Sequence, residues 1–169
     1  MNGNNSGPAG PRLCLREVIK EDLAIFFEYQ LDKTANHMVA FTSKNPADRV
    51  AYFTHWSKIL ADPSVIARSI IFDKQLVGHI TSFDQFGSRA VGYWLGREYW
   101  GQGLATMALQ AFLKIVDYRP LSARVAKDNI GSIRVLEKCG FEVIGEERGY
   151  ANARKEEIEE YLLRLDRPR

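Results

Sequence analysis

The 169-residue sequence predicts one mixed α/β (α+β) domain, and three observations lead there. Length fits a single core, and 46% apolar with 26% charged residues is the balance of a globular chain. Residues 65–72 and 76–83, rich in β-branched and aromatic side chains, are separated only by Asp73-Lys74-Gln75 and read as a hairpin. Beyond residue 90, strand and helix patterns alternate, and a hairpin joined to strand–helix–strand–helix steps makes a mixed sheet.

In chain order, residues 1–11 (MNGNNSGPAGP) bury little apolar surface and read as a flexible tail, which leaves 12–167 for the domain. The tail lacks the basic start and apolar core of a signal peptide, and no run is long enough to span a bilayer. A cytoplasmic protein without a membrane partner is expected. Leu13 and Leu15 alternate with Cys14 and Arg16 as in a short strand, and Leu23, Phe26 and Phe27 give residues 21–29 a helical spacing. Asn45, Pro46 and Asp48 resemble a helix start, with Asn as N-cap and Pro at the first helical position. Val50, Phe53 and Leu60 then mark that helix's buried face.

The hairpin is followed by a strand at 90–95. Residues 104–116 are apolar on nearly every side and predict a helix buried against the sheet. Residues 121–126 form the next strand and 130–139 the next helix, ended by Gly140 in a left-handed cap with Phe141 folding back. Segments 141–147 and 158–165 fit a closing hairpin, whereas 154–165 also has the composition of a good helix, and both readings stay open.

The formal charge of +2 is spread along the chain, unlike the concentrated basic footprint of a nucleic-acid binder. Cys14 and Cys139 stand far apart and outside CxxC spacing, and His37, His55 and His79 are scattered. The expectation is no metal and two reduced, structural thiols.

Chemistry concentrates in residues 92–106, which pass from a strand through a Gly-rich turn into a buried helix. The first N–H groups of a helix lack intrahelical partners and, with the helix dipole, attract an anion such as pyrophosphate. Gly101 and Gly103 allow unusual dihedrals and close approach, and Ala105 is the next smallest choice. Alone, these residues fit a tight turn as well as a phosphate cradle. GxGxxG is incomplete and no GK[ST] ends the turn, so neither a dinucleotide fingerprint nor a P-loop is present.

Gly92-Tyr93-Trp94-Leu95 followed by Tyr99-Trp100-Gly101-Gln102-Gly103-Leu104-Ala105-Thr106 resembles the acetyl-CoA signature of the GNAT superfamily. Within it, the likeness is to the ribosomal-protein-alanine/serine N-acetyltransferase (RimJ/RimL-like) branch. Trp100 departs from the Arg or Gln of the wider superfamily. Asn129-Ile130-Gly131-Ser132-Ile133-Arg134-Val135-Leu136-Glu137-Lys138-Cys139-Gly140-Phe141 resembles the same branch's second cofactor motif, N-x-x-S followed by E-K-x-G-F. The resemblance covers about residues 13–165.

It implies a GNAT-like, mostly antiparallel sheet, splayed between the strands at 90–95 and 121–126 and flanked by helices on both faces. Acetyl-CoA is the implied co-substrate, with no metal. Main-chain groups of Trp94 and Leu95 would bind the pantetheine amides. Trp100, Gly101, Gln102, Gly103, Leu104, Ala105 and Thr106 would hold the pyrophosphate. Asn129 would reach the pantetheine arm, or cap the following helix, which Asn does well. Members that use a tyrosine general acid have it where this chain has Leu136, so Ser132 would stand nearest the sulfur. The Leu95 N–H would polarise the acetyl oxygen. Arg134 and Lys138 suit the nucleotide phosphates or a solvated ridge paired with Glu137 or Asp128. Cys139 and Cys14 read as packing rather than acyl carriers.

The implied reaction is direct acetyl transfer to a primary amine, either a peptide or protein N-terminus or a small molecule such as an antibiotic, polyamine or amino acid. The alternative is an impaired acyl-CoA-binding module, and the assembly is a monomer or homodimer. Many relatives have Glu where this chain has Ala90, which leaves the base unassigned. His79 and Asp84 remain candidates acting through water, and Glu98 reads as surface. Trp56, Tyr52, Phe41 and Phe83 line an acceptor pocket or belong to the core. An α-amino group, with a pKa of about 7.7–8.0, needs less help to be neutral than a lysine near 10.4, so the missing Glu favours the former.

Overall fold

The computed structural model describes residues 12–167; the expected flexible tail, 1–11, lies outside them. Seven strands form one sheet in the order β1-β2-β3-β4-β5-β7-β6. They are β1 (Leu13–Glu17), β2 (Ile66–Phe72), β3 (Gln75–Gln85), β4 (Ser88–Leu95), β5 (Leu121–Ala126), β6 (Glu142–Ala151) and β7 (Glu156–Leu165). The helices are α1 (Asp22–Leu31), α2 (Lys33–Val39), α3 (Arg49–Ala61), α4 (Leu104–Leu113) and α5 (Ile130–Lys138). Every neighbouring pair is antiparallel except β4 and β5, which run parallel.

Alternation along the strands sends apolar side chains to both faces. On one face Ile70, Ile80 and Val91 pack with Leu104, Leu109 and Phe112 of α4 and Leu136 of α5. On the other, Leu23 and Phe26 of α1 and Trp56 of α3 pack with Ala67 and Leu76. Helices therefore flank both faces, as the resemblance implies. Asp22 locks α1 onto the sheet: its carboxylate accepts from Arg16 at 2.6 and 2.8 Å, from Ser69 Oγ at 2.7 Å and from the Ile19 N–H at 3.0 Å. Burial pushes this carboxyl up, but those hydrogen bonds outweigh it and hold it below the usual carboxylate range.

The hairpin turns through Asp73 and Lys74, both at positive φ (49° and 66°), the pattern of a tight two-residue loop. Gly140 ends α5 at φ 91°, with Phe141 N–H bonding to Leu136 O at 3.1 Å and Gly140 N–H to Glu137 O at 3.0 Å, the paired bonds of a Schellman cap. Phe141 is buried, as the apolar contact of that cap requires.

Four expectations need correction. The helix start foreseen at Asn45-Pro46 lies at Asp48, whose Oδ1 accepts from the Ala51 N–H at 2.9 Å, while Asn45 makes only a local bond to Ala47 N–H. Its buried face is Trp56 with Tyr52 and Ile59 half-buried, whereas Val50 and Leu60 are 77% and 45% exposed. The face is chosen by where α1 lies, since Tyr52 and Phe53 both stack on Phe27. α2 was unforeseen, although Asp32 is a regular N-cap accepting from the Ala35 N–H at 2.8 Å. Finally, α4 ends at Leu113 rather than 116, and Met107 is exposed.

The open choice at 154–165 resolves as strand. β7 lies between β5 and β6 and is laddered on both sides, so its backbone is satisfied by the sheet. Helix propensity is a weak prior against two ladders and a fully buried Leu163. Glu160, which would be a surface residue on an isolated helix, is buried and accepts from Arg124 at 2.8 Å.

Candidate functional site

β4 and β5 touch through the single register pair Ala90↔Ser122, where Ser122 Oγ also donates to Arg89 O at 3.0 Å. Beyond it the strands part. In an antiparallel ladder alternate residues turn their main-chain groups to the same neighbour. Gly96 N–H donates to Val77 O at 2.9 Å, and the Trp94 carbonyl oxygen crowds Gly78, so the even-numbered residues here face β3. The odd-numbered ones face β5. Tyr93 and Leu95 thus present main-chain groups to the opening, whereas those of Trp94 are directed into the ladder.

A 3-10 turn, Arg97–Tyr99, then leads to the Gly-rich bend. Trp100 N–H still donates to Arg97 O, and Met107 N–H is the first in α4 to find a backbone acceptor, Gly103 O at 3.1 Å. Between them, the N–H groups of residues 101–106 donate to nothing among the described residues. Gly101 and Gly103 sit at φ 73° and 76°, where a side chain is strained, and a Cβ on either would meet open space. Both glycines of the bend are thus clear of neighbours among the described residues. Trp100 is 40% exposed and folds back so that its Nε1–H donates to Leu95 O at 3.1 Å. That leaves the Leu95 N–H as the group of this residue turned to the opening.

α5 closes the other side. Asn129 Oδ1 caps it by accepting from Ser132 N–H at 3.2 Å, and its Nδ2 donates to Met38 O at 3.3 Å in α2. The capping reading of Asn129 is thus realised, and its amide also ties α2 to the cleft. Ser132 Oγ lies 2.7 Å from the Tyr93 hydroxyl, which stands 39 residues earlier on β4. Burial, partly offset by that hydrogen bond, pushes the Tyr93 phenol up to about 12. Tyr93 was not singled out from the sequence for any side-chain role; its only signal was its place in the strand entering the motif.

The remaining candidates separate. His79 is half-buried against the rings of Phe26 and Trp56, its buried Nδ1 has no partner among the described residues, and burial lowers it to about 3, too weak a base at neutral pH. Asp84 is an exposed partner of Arg89 at 3.3 Å, and Ala90 is buried. Glu98 is exposed and, with Glu28, Tyr29, Asp32 and Arg97, lines an open hollow past the end of β4. Trp56 and Tyr52 belong to the core between α1 and α3, and Phe83 packs under Gly92. Phe41 is partly exposed beside Gly149 of β6.

Arg134 and Lys138 point outward from α5, and neither forms an ion pair among the described residues; Asp128, one expected partner, is held instead by Arg154 at 2.5 and 2.8 Å. Arg154 also donates to His37 O at 2.9 Å, fastening the β6–β7 turn onto α2. Cys139 is half-buried, with its thiol pushed up by burial and directed at Thr106 O, as packing predicts. Cys14 is exposed on β1, so the packing reading fails for it: alternation turns Leu13 inward and Cys14 out.

Comparison with known proteins adds a family match. The model described as "Acetyltransferase (GNAT) domain" matches residues 12–142. An uncharacterized N-acetyltransferase, p20, of Bacillus licheniformis is 29% identical over 170 residues, covering 91% of this chain and 92% of its own. The provisionally named ribosomal N-acetyltransferase YdaF of Bacillus subtilis is 26% identical over 136 residues, covering 73% and 74%. Among solved structures, Mycobacterium smegmatis RimJ, in complex with CoA-disulfide, superposes with a TM-score of 0.72 at 23% identity, covering 91% of this chain and 81% of that one.

Proposed function

This chain belongs to the GNAT family of acetyltransferases, and from that premise we propose that it transfers the acetyl group of acetyl-CoA directly to a primary amine, preferentially a peptide or protein α-amine. The observation that carries the reading is the run of six N–H groups at 101–106 that find no acceptor among the described residues, at a helix start that follows β4, the strand that leaves β5 beyond Ala90. A helix start with free donors and two side-chain-free glycines fits a pyrophosphate, and an unpaired strand edge fits an amide-bearing arm. Residues 12–167 act as one catalytic unit in this reading. The name of p20 agrees as far as N-acetyl transfer, and that of YdaF adds a ribosomal acceptor.

Gly101 to Thr106 hold the diphosphate through main-chain N–H groups, with Trp100 packed at the entrance and closing the end of β4. The main chain of Tyr93, in place of Trp94, holds the pantetheine amides, which leaves the Leu95 N–H for the acetyl group. Bound there, acetyl-CoA supplies an activated thioester. The Leu95 N–H polarises the acetyl oxygen as charge gathers on it, and Ser132 Oγ–H stabilises the sulfur as it departs. A neutral amine forms the new C–N bond as the C–S bond breaks, and its surplus proton passes to solvent. Asn129 acts by positioning Ser132 and α2. A cytoplasmic setting, where thiols such as Cys14 stay reduced, suits this chemistry.

His79 and Asp84 both fail as bases, and in this reading the amine arrives neutral. With peptides whose α-amine is the acceptor, kcat/KM rises with pH and levels off above about 8, whereas a lysine acceptor would keep gaining toward about 10.4. Thiol release from acetyl-CoA across a panel of N-terminal peptides, polyamines and aminoglycosides, measured from pH 6 to 10, tests this. The expected result is release with peptides and the lower plateau. Release with none of the amines, despite tight coenzyme A binding, would leave only the binding-module alternative.

A further inference from the structure

Tyr93 and Ser132 come from the two motifs, meet across the splayed gap, and have hydroxyl oxygens 2.7 Å apart. We propose that Tyr93 is a positioning residue for the leaving thiolate: its O–H is donated to Ser132 Oγ, which frees the single Ser132 proton to point at the coenzyme A sulfur. The inference rests on the acetyl-transfer reading and deepens it at the leaving-group side.

A serine hydroxyl has one proton and can place it in several rotamers, toward solvent or toward a carbonyl of its own helix. Which hydroxyl of the pair donates is settled by acidity. A phenol is several pKa units more acidic than an alkanol, so the stronger donor is Tyr93 and the better acceptor Ser132. The phenol of Tyr93 is held protonated by burial, its pKa pushed up to about 12, so it stays a donor through the working range. Its second contact, the Ser132 main-chain oxygen, is a rival acceptor for the one phenol proton, but at 3.4 Å it is much the longer contact, and the proton goes to Ser132 Oγ at 2.7 Å. The ring packs with the apolar layer under α4 and α5 and is anchored independently of the hydroxyl.

Leu136 fills the place of the tyrosine acid of other superfamily members and is buried in the core without a proton to give. Ser132 with Tyr93 behind it supplies a donor by another route. Protons balance without a relay. The amine forms its bond to the acetyl carbon and loses a proton to solvent; the C–S bond breaks; the thiolate is stabilised by the Ser132 hydrogen bond and takes its own proton from solvent afterwards. Neither hydroxyl changes its net protonation.

The test uses the full chain with Tyr93→Phe, Ser132→Ala and the double variant, reading turnover and, separately, the ultraviolet titration of the thiol of bound coenzyme A. Losing a hydrogen bond to a thiolate predicts about a tenfold fall in kcat for Ser132→Ala. Losing only its orientation predicts about fivefold for Tyr93→Phe, with the KM for acetyl-CoA unchanged. The double variant should match Ser132→Ala, and the bound thiol should titrate higher in all three variants than in the wild type. Additive effects in the double variant overturn the proposal, as does an unmoved thiol titration in Tyr93→Phe. Should Tyr93→Phe not fold, the thiol titration of Ser132→Ala decides, and an unmoved value overturns the proposal. If those fail while the wild type still acetylates amines, the acetyl-transfer reading stands. If the wild type acetylates nothing, both fall.

Discussion

Two pairs of glycines lie within a few residues of the cleft, and they are glycines for opposite reasons. A Cβ on Gly78 would land on the Trp94 carbonyl oxygen and 2.9 Å from Leu95 Cα, and one on Gly96 would press the Tyr29 ring at 2.6 Å. Gly101 and Gly103 would meet nothing, yet both sit at positive φ next to N–H groups that the chain leaves unused. The first pair makes room for the protein itself; the second holds a shape that serves no contact within the protein. A bend whose positive φ glycine takes without strain, beside N–H groups that find no acceptor among the described residues, fits a surface that receives a ligand.

Substitutions by alanine turn this contrast into measurements. Gly78→Ala should be the most damaging, because backbone on two strands must move: about 3 kcal/mol by denaturant midpoint. A variant with wild-type stability would break the idea that β3 and β4 are closed by direct backbone contact. Gly96→Ala should cost less, about 1–2 kcal/mol, since a ring can turn aside. Tyr29 would then lose its 2.7 Å bond to Leu76 O, visible as a change in Tyr29 fluorescence or hydrogen exchange near Leu76. Gly103→Ala should cost least in stability, about 1 kcal/mol for a left-handed alanine. Yet it alone of the three should abolish the rise in Tm on adding coenzyme A. If it lowered stability as much as Gly78→Ala while the response to coenzyme A survived, the bend would be structural and the contrast would collapse.

Much of the fold was legible because it is written locally. The 73–74 turn, the α5 cap and the strand that enters the motif follow from a few neighbouring residues. The misreadings have a common origin in contacts distant along the chain. Val50 and Leu60 have the apolarity of a buried face and are exposed because α1 covers the Tyr52–Trp56 side instead. Cys14 is exposed because its strand shows only alternate residues to the core. His79 passed from candidate base to inert packing residue once Phe26 and Trp56 were seen to pack against it.

The candidate site divides along the same line. Residues 101–106 could be named from sequence only with the second motif beside them, because two glycines and a helix start fit a tight turn as well as a donor cradle. Asn129 offered two jobs, and its tie to Met38, 91 residues away, adds a third that no local pattern encodes.

By itself, then, the sequence determined the Gly-rich bend at the start of α4, the order of most elements around it and the family, since each depends on short-range conformation and on motif residues. Tertiary structure alone decided that 156–165 is a strand, that the splay implied by the resemblance begins just past Ala90, and that Tyr93 reaches Ser132 across 39 residues. These outcomes are set by which surfaces are left to be covered once the sheet has assembled, a sum over contacts that no short segment contains.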